Sequence, residues 1–147
     1  MITWVIKKFD ALTPGELYVI LRLRSEVFVV EQHCVFLDMD NKDQSCYHLM
    51  GWQADQLVAY TRLMPPGISY PEPSIGRVVT SPAARGSGAG KLLMEKSIAE
   101  TERLFGKVSV KIGAQLYLKK FYASLGFEQS SEVYDEDGID HIEMIRR

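Results

Sequence analysis

The stretch Val78-Val79-Thr80-Ser81-Pro82-Ala83-Ala84-Arg85-Gly86-Ser87-Gly88-Ala89-Gly90-Lys91-Leu92-Leu93 decides how this chain is read. A β-rich run leads into a glycine-rich turn, and the turn opens an amphipathic helix. Such a turn aims several unpaired backbone N–H groups and the positive end of a helix dipole at one point, which favours a pyrophosphate. Glycines at 86, 88 and 90 let phosphate oxygens approach the main chain without meeting a Cβ.

Two commoner phosphate loops do not fit. A Walker A loop requires Gly-x4-Gly-Lys-Ser/Thr, and here Arg85 stands at the first glycine and Leu92 at the magnesium-binding hydroxyl. In the Gly-x-Gly-x-x-Gly dinucleotide fingerprint, Lys91 falls on the third glycine. A second informative segment is Phe121-Tyr122-Ala123-Ser124-Leu125-Gly126-Phe127, a helix end closed by Gly126 and carrying a phenol.

At 147 residues the chain has the length of one domain, 1–147, and can bury roughly 70% of its unfolded surface. Net charge is −2 with dispersed basic residues, so no electrostatic footprint for nucleic acid appears. The start, Met1 to Lys8, lacks a basic segment followed by an apolar core, and no run approaches membrane-spanning length. A cytoplasmic protein is expected, with Cys34 and Cys46 as free thiols.

Hydrophobic period and turn chemistry give the order β-α-β-β-β-α-β-α-β-β. A strand spans Ile2 to Phe9, and Thr13-Pro14 opens a helix that continues towards Gln32. Strands from Cys46 to Trp52 and Leu57 to Met64 form a hairpin about Ala54-Asp55-Gln56. A strand near Ile75 to Thr80 precedes the glycine turn, and the main helix runs from about Gly88 to Phe105. Lys107 to Ile112 reads as a strand and Leu116 to Leu125 as a helix; two closing strands are joined through Asp135-Glu136-Asp137-Gly138. The expected fold class is α/β (α+β), a central mixed sheet of six to seven strands flanked by helices.

The pattern Arg/Gln-x-x-Gly-x-Gly/Ala, met by Arg85, Gly88 and Gly90, together with Phe121-Tyr122-Ala123-Ser124-Leu125-Gly126-Phe127, resembles the GNAT N-acetyltransferases. The resemblance sharpens to their ElaA-type subgroup through Arg24-Ser25-Glu26-Val27-Phe28-Val29-Val30-Glu31-Gln32, Leu37 to Asp43, His48-Leu49 and the ending Asp137 to Met144. It implies a GNAT-like acyl-CoA N-acyltransferase fold and acetyl-CoA as cosubstrate. Val78, Val79 and Thr80 would then offer a strand edge to the pantetheine arm, as an added strand would pair. Arg85, Gly86, Ser87, Gly88, Ala89, Gly90 and Lys91 would hold the pyrophosphate, although Lys91 reads equally well as a solvated first-turn lysine. Gln115 matches a position where many relatives carry an asparagine against the cofactor arm. Tyr122 takes the role of the acid that protonates the departing thiolate. The resemblance thins at the general base, because the position where many relatives carry a glutamate is Val110 here.

Other residues are candidates for that base. On the first helix Leu17, Ile20, Leu21 and Phe28 form an apolar stripe, and Arg24 and Glu31 fall on it, whereas Glu26 lies opposite. Inward charges must be paired or line a cleft. Either Arg24 and Glu31 brace the site, or the helix breaks before residue 31. His48 and His141 have the right unperturbed chemistry to accept an amine proton, as does the carboxylate of Glu143, yet histidines on strands are more often packed and hydrogen-bonded. Arg62 and Arg77, inside strands, either neutralise a substrate carboxylate or pair with Glu31 or an aspartate.

No metal is expected. His33, Cys34, Cys46 and His48 lack the Cys-x2–4-Cys knuckle of zinc sites, and Lys42 and Asp43 spoil the calcium-loop pattern begun at Asp38. The acceptor is expected to be a small-molecule amine or peptide amine, drawn by the acidic loops Asp38 to Asp43 and Asp135 to Asp140, or those loops are simply solvated. The alternative to an enzyme is an acyl-CoA-binding regulatory protein, motivated by Val110. Pro65 to Pro73 and the strand edges serve a homodimer as readily as plain surface loops.

Overall fold

The computed structural model describes residues 1–147. Its strands are β1 (Thr3–Lys8), β2 (Tyr47–Gln53), β3 (Gln56–Met64), β4 (Ser74–Thr80), β5 (Val110–Gln115), β6 (Glu128–Gln129), β7 (Tyr134–Glu136) and β8 (Ile139–Arg146). The helices are α1 (Pro14–Arg24), α2 (Ala89–Phe105) and α3 (Lys119–Ala123). The strands form two sheets rather than one continuous sheet: β1-β2-β3-β4, and β5-β8-β6 with β7 also on β8. Every ladder is antiparallel. β4 and β5 lie side by side at their starts, where Lys111 N–H donates to the Pro73 carbonyl at 3.0 Å, and then part.

Local chemistry starts α1 where expected. Thr13 Oγ1 accepts from Glu16 N–H at 3.1 Å and Glu16 returns a bond to Thr13 N–H at 2.8 Å, a reciprocal cap with proline at the first helical position. After Arg24 the helix neither continues as α nor breaks; Ser25–Glu31 is π-helical, with Gln32 N–H bonded to the Val27 carbonyl at 3.2 Å. The wider turn shifts the phase, so Arg24 stays buried while Glu31 swings outward. β5 starts at Val110 rather than Lys107, because Gly106 closes α2 at φ +88° and Lys107 to Ser109 serve as connection.

Helices cover both faces. On one, α2 and α3 pack Met94, Ile98 and Tyr122 against Leu63, Ile75, Val110, Ile112, Ile142 and Met144. On the other, α1 lays Ile20 and Leu23 over Met50, Tyr60 and Val79. Alternation along β3 explains the division, since Tyr60 and Arg62 face one way and Thr61 and Leu63 the other. Thr61 bonds Ser97 of α2 at 2.8 Å, which satisfies both buried hydroxyls.

On the α1 side, three arginines and three aspartates close a ring. Arg24 bonds Asp38 and Asp43, each at 2.8 Å. Arg77 bonds Asp38 at 2.8 Å and Asp40 at 3.4 Å. Arg62 bonds Asp40 at 2.8 Å and Asp43 at 3.0 Å. Arg24, Arg62, Asp38 and Asp43 are buried, so the loop that read as acidic and solvated is instead clamped inside the protein.

Burial alone would raise the Asp40 and Asp43 carboxyls, but hydrogen bonds from Arg62 and Arg24 outweigh it and hold both below the usual range. A depressed folded pKa contributes stability above the unfolded value of about 4, lost as pH falls through the folded one. Unfolding in urea at pH 7 and pH 3 should show a marked acid loss in the native chain. Asp43→Asn should cost about 3–5 kcal/mol at pH 7, through the uncompensated arginines, and flatten that acid loss.

Candidate functional site

The main cavity, about 600 Å3, opens where β4 and β5 diverge. Val78, Val79 and Thr80 form one wall and Ile112, Gly113 and Gln115 the other. Tyr122 lies on the wall from α3, and Glu31 with Arg85 and Gln32 stand along the side nearest the π-helical turn. Glu136, Asp137, Ile139 and His141 complete it from the β7–β8 hairpin.

The glycine turn stands beside this cavity. Gly86 and Gly88 take φ of +82° and +80°, a region only glycine enters freely, and α2 starts at the next residue. A Cβ at Gly86, Gly88 or Gly90 would meet no protein atom within 4 Å, so that ground is open to a ligand. The Ser87 hydroxyl donates to the Ala84 carbonyl at 2.5 Å and thereby shapes the turn. Lys91 is exposed on the first turn of α2. The residues therefore fit an extended anionic ligand: an open strand edge, bare glycine backbone and a 17-residue helix behind it.

β4 carries a bulge. Tyr60 pairs with Val79 but Arg62 pairs with Gly76, so β4 holds one residue more than β3 over this interval. Arg77 adopts φ +50° within it, uncommon for a side chain of its size, and Asp38 anchors its guanidinium from two atoms at 2.8 and 2.7 Å. The bulge re-aims the main chain of Arg77 and Val78 beside the cavity.

Two contacts bridge the cavity's mouth. Glu31 receives both terminal nitrogens of Arg85 at 2.6 Å, and Gln32 exchanges side-chain amide bonds with Gln115 at 3.3 and 3.4 Å. The Arg85 bond holds the Glu31 carboxyl below its ordinary value, which weakens it as a base.

His141 lines the cavity with its ring fixed by a main-chain contact. Its Nδ1 lies 2.8 Å from the Ile139 carbonyl, which can only accept, so Nδ1 carries the proton and Nε2 offers its lone pair. Glu136 Oε2 lies 3.4 Å from Nε2, placed to pair with an imidazolium. Burial pushes the Tyr122 phenol up to about 12, with a smaller push from Tyr117, so it stays protonated at neutral pH.

The structure does not bring every candidate here. His48 is fully buried on the α1 side, with Nε2 on the Asp43 carbonyl at 2.9 Å and Nδ1 on the Tyr60 hydroxyl at 2.6 Å. Both nitrogens are consumed and burial lowers its pKa, so it supports the clamped loop instead of meeting a substrate. Arg24 is wholly buried in the ion-pair ring and reaches no cavity, which removes it as a substrate contact. Arg62 and Arg77 pair with aspartates, the second of the two expectations for them. Val110 is buried in the apolar core, so no base stands at that position. Cys34 and Cys46 are free and buried, and no helix is long and apolar enough to cross a membrane. The sequence pointed to Glu136 only through the acidic loop Asp135 to Asp140, without singling it out, and passed over the amide pair of Gln32.

Known proteins share this architecture. A family model for the acetyltransferase (GNAT) domain matches residues 22–147. A UPF0039 protein of Synechocystis is 45% identical over 147 residues, covering 99% of this chain and 96% of that one. Protein ElaA of Escherichia coli is 41% identical over 148 residues, covering 99% and 97%; its crystal structure matches with a TM-score of 0.94 across 100% of both chains. The crystal structure of an acyl-CoA N-acyltransferase from Pseudomonas aeruginosa matches with a TM-score of 0.96 at 44% identity, again across 100% of both chains.

Proposed function

Because this chain belongs to the GNAT family of acyl-CoA N-acyltransferases, in its ElaA-like group, we propose that it transfers the acetyl group of acetyl-CoA to a primary amine. The observation that carries this reading is the pairing of a protonated phenol, Tyr122, with a fixed imidazole lone pair, His141 Nε2, in one cavity between β4 and β5. Bound acetyl-CoA supplies an activated thioester whose carbon is open to an amine.

The chain's own residues do the rest. Val78 to Thr80 orient the ligand's arm along the strand edge, and Gln115 holds it from β5. Backbone N–H groups of the glycine turn receive the pyrophosphate with Arg85 beside them. His141 Nε2 takes a proton from the attacking amine, and Glu136 stabilises the resulting charge. Main-chain N–H groups at the β4 bulge serve as donors to the developing oxyanion. The Tyr122 hydroxyl delivers its proton to the leaving sulfur as the C–N bond replaces the C–S bond. His141 thus fills the role for which Val110 is unsuited, and Glu31 serves to hold Arg85.

Calorimetric titration should give saturable acetyl-CoA binding, with none for ATP or NAD. Gly90→Val tests the turn, since a Cβ there meets open space; affinity should fall about tenfold or more with little change in melting temperature. Tyr122→Phe and His141→Ala should each lower kcat by about a hundredfold while acetyl-CoA binding persists. Binding without turnover in the native chain, across a broad amine panel, would favour the regulatory reading instead.

A further inference from the structure

A second hollow, about 440 Å3, adjoins the main cavity and shares Phe36, Ile75, Gly76, Arg77, Gly113, Glu136 and Asp137 with it. The two therefore meet where β4 and β5 part. Lys42, Met64, Ser69 and Tyr70 line the second hollow alone.

Six charged residues line this hollow: Asp40, Lys42, Arg62, Arg77, Glu136 and Asp137. Asp40, Arg62 and Arg77 belong to the closed ring and are neutralised within it. What remains is segregated. Glu136 and Asp137 stand at the junction with the main cavity, and Glu136 has only His141 as an ionic partner. Lys42 stands away from the junction, its ammonium donating to the Ser69 hydroxyl at 3.0 Å and matched by no carboxylate. In the same hollow, the Tyr70 and Tyr134 hydroxyls converge on Gly113, 3.2 and 3.3 Å from where a Cβ would stand. Lys111 Nζ lies 5.3 Å from the centroid of the Tyr70 ring, and the Tyr134 ring stacks on His141.

We propose that the acceptor is a small amine carrying an anionic group, its amine end at the Glu136–Asp137 junction and its anion on Lys42. This rests on the acetyltransferase reading above. Negative charge at the junction gathers the ammonium form; His141 Nε2 removes one proton, the nitrogen bonds the acetyl carbon as the C–S bond breaks, the thiolate leaves with the Tyr122 proton, and the Tyr122 phenolate recovers a proton from the acylated nitrogen. The second pole selects. An ammonium is a point charge, so carboxylate and phosphonate or phosphate tails share the chemistry that Lys42 recognises.

A matched series tests this: 4-aminobutyrate, 3-aminopropylphosphonate, butylamine and 1,4-diaminobutane. Each is measured by acetyl-CoA-dependent thiol release and by calorimetric binding to CoA-loaded protein. At least one anionic amine should exceed butylamine in kcat/KM by about tenfold or more, the value of one charge-assisted contact. Which of the two leads identifies the tail. Lys42→Met should abolish that preference with little change for butylamine, and Lys42→Glu should turn it towards 1,4-diaminobutane. Equal or better use of the uncharged or dicationic amines by the native chain would overturn the proposal. So would a preference that survives Lys42→Met, or protein that binds acetyl-CoA and none of the anionic amines. Failure to bind acetyl-CoA at all would instead bring down the acetyltransferase reading on which it rests.

Discussion

The ring Arg24–Asp38–Arg77–Asp40–Arg62–Asp43 is the constraint on which the rest of this structure depends. Four of its six charges, Arg24, Asp38, Asp43 and Arg62, are buried, and each is stable there because both its neighbours carry the opposite sign. Its members come from α1, the 38–43 loop, β3 and β4, so closing it ties four separate segments at once. Loss of Asp43 would leave the buried Arg24 and Arg62 with one carboxylate partner each. His48 and Tyr60 extend the same network through the Asp43 carbonyl, fixing the loop's main chain as the ring fixes its side chains.

That constraint reaches the candidate site through Arg77. A long side chain at φ +50° in mid-strand is held against its own preference, at a cost of about 1–3 kcal/mol, and the two bonds to Asp38 offset it. The bulge in turn forms part of the cavity wall, which Arg77 and Val78 line. The ring also neutralises most of the charge beneath the second hollow, so that a few side chains, Lys42 at one pole and Glu136 with Asp137 at the other, set its electrostatic character.

How much of this was legible in the sequence follows from the range of each interaction. The α1 cap is complete within Thr13 to Glu16, and the glycine turn within Arg85 to Gly90, so both could be read directly. The hairpin of β2 and β3 likewise needs only its own turn. The ring could not be read, because Arg77 and Asp38 lie 39 positions apart and nothing local announces their meeting. Alternation put His48 on a strand face without saying that this face packs under α1. The π-helical turn after Arg24 widens the helix by backbone geometry alone, with no residue type to mark it, so the phase of Glu31 was lost. β5 slid by three residues because its register is set by β8, where Gln115 faces His141, and Gly113 and Ala114 are poor strand formers in isolation.

Gly113 shows how such non-local choices serve chemistry. A strand gains nothing from glycine in its interior, and a Cβ there would press on the Tyr70 and Tyr134 hydroxyls at 3.2 and 3.3 Å. Its absence lets two phenols crowd the wall common to both cavities. Burial, helped by the neighbouring carboxylates, raises both phenols, Tyr70 to about 12, so they remain donors as well as acceptors at neutral pH. Across the same ladder, Gln115 opposes His141. One short strand thus brings the Gln115 amide, the bare backbone of Gly113 and, through its partner, the His141 imidazole to the wall of one cavity. The strands need only part at their far ends for all three to face one space, and the bond from Lys111 N–H to Pro73 holds their near ends together while they do.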